Sequence, residues 1–127
     1  MTAKKDIENR EDIELLISAF YDRMLKDMVL GYIFTDIAKV DLEEHIPVIC
    51  DFWENVIFNR PVYKRGSEVM DVHINLNRKI QLRRGHFRRW LYLFKTTLDE
   101  LFEGAMSTRA RDRADSIALQ MQRKLSI

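Results

Sequence analysis

Only six of the 127 residues are glycine or proline: Gly31, Pro47, Pro61, Gly66, Gly85 and Gly104. A many-stranded sheet needs turn-forming residues every few positions, whereas a few long helices do not. The apolar residues between these breakers recur at spacings of three and four, the period of one helical face. Ile13, Leu16, Ile17, Phe20, Met24 and Met28 make such a face over Glu11 to Met28, with Asn9 placed to cap it and Gly31 placed to end it. A short connector runs from Tyr32 to Lys39. Asp41 can cap a second helix reaching Phe58, whose inward residues are Ile46, Ile49, Phe52, Trp53, Val56 and Ile57. Pro47 fits the first turn of a helix but not its interior, so regular helix is expected from about His45, with Asp41 to Glu44 as an irregular lead-in.

Asn59-Arg60-Pro61 breaks the pattern, and Glu68 to Leu76 forms a short amphipathic piece. Asn75 to Arg84 reads as polar and irregular. The longest apolar stripe, Phe87, Trp90, Leu91, Phe94, Leu98, Leu101 and Phe102, predicts a helix from about Gly85 to Glu103 ended by Gly104. Ser107 can cap a last helix with Ala110, Ala114, Ile117, Ala118, Met121 and Leu125 inward. No strand-like alternation competes and the connectors are short. The expectation is one all-α domain over residues 1–127.

Composition narrows the function classes. Apolar residues at 46% and charged residues at 32% disfavour disorder, and a net charge of +1 disfavours a globally basic nucleic-acid binder. One cysteine allows no internal disulfide, and no apolar h-region follows Met1. No apolar run approaches the ~20 residues of a membrane helix. A cytoplasmic protein without membrane or nucleic-acid partners is expected.

No phosphate loop, dinucleotide fingerprint, nucleophile elbow or Cys-x-x-Cys is present. The three histidines, His45, His73 and His86, lie 28 and 13 residues apart and match no zinc spacing. Singly, each has an ordinary reading: His73 as a partly buried residue on a short helix, His86 as a packing or capping residue four before Trp90, His45 as a solvated residue at a helix start. Tyr21 flanks an apolar face, where a hydroxyl needs a partner or a place at the rim. Six cations in twelve residues, Arg78, Lys79, Arg83, Arg84, Arg88 and Arg89, form either a solvated face or a site for an anion.

Order along the chain changes the odds. Phe20-Tyr21, then Leu30-Gly31-Tyr32-Ile33-Phe34, His45-Ile46-Pro47, Phe52-Trp53, Tyr63, Val72-His73-Ile74-Asn75-Leu76 and His86 to Phe94 follow one another, before a last helix with Arg113-Ala114. From about Ile13 to Leu125 this series resembles the group III truncated haemoglobins. The resemblance implies a two-over-two helical sandwich around one haem b. It implies His73 as the proximal iron ligand, Tyr21 as a distal hydroxyl, Phe34 as the aromatic on the haem edge, His45 as a distal histidine, Ile49 over the haem face and Trp90 as an indole donor in the distal pocket. The absence of an adjacent glycine pair favours group III over the other two groups. His86 shares a helical face with Trp90, and one turn of one face cannot supply both a proximal ligand and a distal donor, so His73 is preferred.

The residues suit that cofactor. Haem is an apolar disc with two carboxylates at one edge, needing an aromatic slot, a nitrogen ligand and cations at the rim. Seven Phe, four Tyr, six Met and His73 are available, with the Arg78–Arg89 cluster at the rim, where Arg78, Lys79, Arg83 or Arg84 can meet a propionate. The resulting expectation is reversible binding of oxygen, nitric oxide, carbon monoxide or a cyanide-like ligand, with oxygen transport or scavenging as the role. The alternatives are a peroxidase-like or nitric-oxide-detoxifying haem enzyme served by a reductase, and a haem-free helical module using the Arg78–Arg89 patch.

Overall fold

The computed structural model describes residues 3–66 and 68–127. Five α-helices account for most of it: α1 (Arg10–Lys26), α2 (Leu42–Phe58), α3 (Glu68–Lys79), α4 (Arg84–Leu101) and α5 (Ala105–Lys124). One turn of π-helix, Ile33–Ile37, lies between α1 and α2. No strand occurs among the described residues, and no helix there is long and apolar enough to cross a membrane.

Helix α1 starts where the sequence places it. Asn9 is extended, and its side chain accepts the Asp12 N–H at 3.0 Å. Ile13, Leu16, Ile17, Phe20 and Met24 are all buried. The helix stops at Lys26, two residues short of expectation, because the Asp27 carboxylate takes the N–H groups of Val29 and Leu30 and the Arg89 guanidinium. Met28, expected on the inward face, is 96% exposed as a result. Gly31 does not end the helix. It allows a close approach: a Cβ there would sit 2.6 Å from the Leu25 carbonyl oxygen.

In α2, Asp41 caps by accepting the Glu43 N–H at 3.1 Å, and the helix then runs through Pro47 with no irregular lead-in. Pro47 removes only the bond to the Glu43 carbonyl, and both residues are exposed, so water can serve that oxygen. Asn59 in the left-handed region (φ 57°) closes the helix. Helix α3 continues to Lys79, three residues past Leu76, so Asn75 to Lys79 is helical and only residues 80–83 form the corner. Helix α4 ends at Leu101. Gly104 is not its cap but the entry to α5, at φ 141°, where a Cβ would strike the Asp6 side chain at 2.5 Å. Asp6, not Ser107, caps α5, accepting the N–H groups of Met106 at 2.8 Å and Ser107 at 2.9 Å.

Helices α1 and α2 pack together, α4 and α5 pack together, and the first pair lies over the second through α1 on α4 and α2 on α5. This is the two-over-two sandwich. Phe94 at its centre stacks against Trp53 (4.7 Å between centroids) and Trp90 (5.7 Å). Arg10 ties α1 to α2 through Asp51 (2.6 Å) and the buried Glu54 (3.1 Å). Helix α3 differs from the other four: none of its described residues is fully buried. It rests on the sandwich through Val69, Met70 and Leu76, against Leu82, Phe87, Ala118 and Met121.

Candidate cofactor and ligand site

A cavity of about 440 Å³ separates α3 from the sandwich, within the range of small-molecule sites. Its walls are mostly apolar; Tyr21 and His45 lie on one side and His73 on the other, and Asp41, Glu44, Arg65 and Glu68 add charge to the lining. Tyr21, Phe34, His45, Ile49 and Trp90 line it from α1, the π turn, α2 and α4, and His73 lines it from α3. Residues separated by up to 69 positions in the chain thus converge on one slot. Tyr21 and Phe34 meet edge to face at 5.8 Å. The Trp90 indole stacks on Phe94, and its N–H donates to no protein group among the described residues.

Hydrogen bonding sorts the three histidines. His73 Nδ1 lies 2.7 Å from the Val69 carbonyl oxygen, an acceptor only, so Nδ1 carries the proton. The Nε2 lone pair of His73 is left unprotonated, the form a metal requires. His86 has the opposite arrangement. Its Nδ1 accepts the Arg83 backbone N–H at 2.9 Å, so in the neutral ring Nε2 holds the proton and offers no lone pair. His86 lines the cavity from α4 together with Trp90 while capping that helix, and its hydrogen bonding also separates it from His73.

His45 Nε2 is 2.8 Å from the Tyr21 hydroxyl. Burial lowers the pKa of His45, and positive charge on His73 across the cavity lowers it further. Burial also lowers that of His73, against its bond to the Val69 carbonyl, and that of His86, where Arg83 adds repulsion. Burial, aided by the Cys50 thiol, pushes the Tyr21 phenol far above its ordinary value. At neutral pH the slot therefore holds neutral imidazoles and a neutral phenol.

The rim departs from the sequence expectation. Arg78 and Lys79 are exposed on the last turn of α3 and do not line the cavity. Arg65 and Tyr63, from the segment before α3, do line it, and the Arg65 guanidinium there is paired with Glu68 at 3.3 Å. The Tyr63 hydroxyl is buried with no hydrogen-bond partner among the described residues; burial raises its pKa, and the nearby Val69 backbone N–H only partly offsets this. A buried hydroxyl without a partner is costly and points to a group that completes the site. Sequence reasoning placed Tyr63 in the ordered series without a role and passed over Arg65. The available signal was a phenol and a cation two residues apart, just ahead of the histidine-bearing helix.

Among the described residues no three His, Cys, Asp or Glu side chains converge on a point, so a metal here would bring most of its ligands with it. A flat apolar metal-bearing ring with acidic substituents fits the arrangement: a free imidazole nitrogen on one wall, hydrogen-bonding groups on the other, a phenol and a guanidinium at the rim.

No protein-family model matches the chain. The chain is 31% identical over 120 residues to Group 3 truncated hemoglobin ctb of Campylobacter jejuni, spanning 92% of this chain and 91% of that one. Its fold is similar to the crystal structure of group III truncated hemoglobin from Campylobacter jejuni, with a TM-score of 0.82, 26% identity, and coverage of 97% of this chain and 95% of that one.

Proposed function

Because the chain belongs to the group 3 truncated haemoglobins, we propose that it holds haem b between α3 and the sandwich and reversibly binds oxygen or a related small ligand there. The observation that carries this reading is the placement of an unprotonated His73 Nε2 across one cavity from the Tyr21–His45 pair. Haem, when bound, would be held through its iron by His73 and would supply a metal centre able to bind a small diatomic ligand. The chain supplies the rest. Val69 fixes the His73 tautomer and ring orientation through Nδ1. Phe34 and Ile49 provide apolar contact for the disc. At the rim, Tyr63 and Arg65 would meet the acidic substituents, Arg65 by exchanging its Glu68 partner (3.3 Å) for one of them and the Tyr63 phenol by gaining an acceptor.

The Tyr21–His45 contact has two hydrogen-bonded forms. With the proton on His45 Nδ1, the Tyr21 hydroxyl donates to Nε2 and is spent. With the proton on Nε2, the imidazole donates to the phenol oxygen, and the hydroxyl proton turns into the cavity. The second form, together with the unpartnered Trp90 indole, presents donors to a ligand that carries partial negative charge. Such donors slow release, which favours scavenging or redox turnover of oxygen or nitric oxide over bulk oxygen transport.

The visible spectrum of the purified protein, ferric, reduced, and reduced with carbon monoxide, tests the reading. The expected result is one haem per chain and a shifted Soret band on adding carbon monoxide. A colourless protein that takes up no added haem would overturn it.

A further inference from the structure

We propose that the corner between α3 and α4 is the docking surface for an acidic one-electron carrier protein; this rests on the haem reading above. Charge is divided sharply along this chain. Between Asp71 and Asp99 there is no carboxylate, while seven cations fall in that interval: Arg78, Lys79, Arg83, Arg84, Arg88, Arg89 and Lys95. A chain of formal charge +1 is therefore +7 there and −6 elsewhere. Two of the seven are neutralised across the fold, Arg89 by Asp27 at 2.6 Å and Lys95 by Asp115 at 2.7 Å. The other five, Arg78, Lys79, Arg83, Arg84 and Arg88, are exposed and make no ion pair among the described residues.

Their positions run against helix stability. Arg83 is the N-cap of α4, Arg84 opens its first turn, and that turn holds no acidic residue. Cations at the positive end of a helix are unfavourable, so local folding does not account for them. Helix α1, by contrast, carries Glu11 and Asp12 in its first turn.

The patch lies against the cavity wall. Leu82, His86 and Phe87, interleaved with the unpaired arginines, line the cavity from the inside. The corner is held tight by the Leu82 N–H to Asn77 Oδ1 bond at 2.8 Å and the Arg83 N–H to His86 bond at 2.9 Å. A partner seated on the arginines is thus one layer of residues from the cofactor slot. Uneven charge steers oppositely charged partners into productive encounters. The step served is one-electron transfer: the carrier's reduced centre is oxidised by one electron, and ferric haem is reduced to ferrous.

The test uses the haem-loaded protein under anaerobic conditions with an acidic plant-type two-iron ferredoxin as probe. Binding of oxidised ferredoxin is measured by calorimetry, and reduction by photoreduced ferredoxin by stopped flow, each against salt. The variant is Arg83→Glu/Arg84→Glu/Arg88→Glu, which places acids where the helix dipole favours them. Wild type should bind ferredoxin at low salt, and its reduction rate should fall as salt rises. In the variant the calorimetric binding should vanish and the low-salt rate fall about tenfold or more. Reduction by hexaammineruthenium(II), a small cation, should not slow. Equal ferredoxin affinity and rate in both proteins would overturn the proposal, as would tighter binding of short duplex DNA than of ferredoxin by wild type. Loss of hexaammineruthenium(II) reduction in wild type would overturn the haem reading instead.

Discussion

The two walls of the cavity are built differently. The wall carrying Tyr21, His45, Ile49 and Trp90 belongs to α1, α2 and α4, helices locked together by a core in which Phe20, Phe94 and Trp53 are almost wholly excluded from solvent. The wall carrying His73 is α3, with no fully buried described residue and only Val69, Met70 and Leu76 resting on the sandwich. Protein packing alone pre-forms the first wall. The second lacks most of the contacts that would hold a helix of twelve residues in place, and an isolated helix of that length is marginal in water. Stability is therefore distributed unevenly, and the cofactor is the natural completion of the weaker wall.

The largest effect should come from breaking the weaker wall. In hydrogen exchange, α3 amides should exchange rapidly in the haem-free protein and become protected when haem is added, while α1 and α4 amides stay protected throughout. His73→Gly should abolish stable haem retention, with added imidazole restoring ligation. His86→Ala should leave the ligation spectrum intact, since its Nδ1 serves the α4 cap and its Nε2 is protonated. Loss of the axial ligand in the His86 variant alone would reverse the assignment.

On the packed wall the expected effects are large but not destructive. Removing a hydrogen bond to a charged acceptor costs ~1.5–3 kcal/mol. Tyr21→Phe should accordingly raise the oxygen dissociation rate roughly 10- to 100-fold, with much less change for carbon monoxide. His45→Leu sharpens the point. It removes the acceptor that occupies the Tyr21 hydroxyl, so oxygen release should slow or stay level. Stopped-flow release from both variants decides the matter: release accelerated in His45→Leu but not in Tyr21→Phe would make His45 the operative donor.

The rim comes next in size. Charge-assisted contacts are worth ~1.5–3 kcal/mol at best, and less when exposed. Tyr63→Phe and Arg65→Ala should each speed haem loss to an apoglobin acceptor by about tenfold or less. Arg78→Ala/Lys79→Ala, at residues that do not line the cavity, should leave it unchanged. The opposite ranking would return the propionate contacts to the end of α3.

These three regions also differ in how much of them was legible in the sequence. The packed wall was the most legible, because a buried helical face imposes a period of three and four, and Tyr21, Phe34, His45, Ile49 and Trp90 lie on or beside such faces. The end of α1 was hidden by side-chain chemistry at long range: Asp27 owes its place to Arg89, which is 62 residues away. Pro47 lies only in the second turn of α2, where the carbonyl it deprives of a bond belongs to the exposed Glu43, so the helix tolerates an interior proline that the general rule disfavours. The cap of α5 was invisible because its acceptor, Asp6, comes from the other end of the chain. At the rim, cation density drew attention to Arg78 and Lys79. Which cations reach a cavity depends on the path of the segment before α3, and no local pattern encodes that path.

The smallest effect concerns pH, and it separates the cavity from the sandwich. Burial lowers the pKa values of His45, His73 and His86 below their usual 6.5. As pH falls through 6.5 the unfolded chain binds protons that the folded chain refuses, so the haem-free protein should lose stability from there downward. Carboxylates in the sandwich behave otherwise. Arg89, and the Leu30 and Val29 N–H groups, hold Asp27 below the ordinary 3.8 against burial. In Asp6, burial acts upward, but the N–H groups of Met106, Ser107 and Ile7 outweigh it. Both keep their stabilising charge down to 3.8 and lose it only below. Urea midpoints of the haem-free protein should therefore drop modestly between about pH 7.5 and 5.5, as the histidines begin to titrate. Asp27→Asn should lower the midpoint across that whole range without changing its slope against pH, while His73→Phe should flatten the slope. A slope unaltered in His73→Phe would mean that the imidazole is as free to take up a proton in the fold as in water, and α3 would have to stand open in the absence of haem.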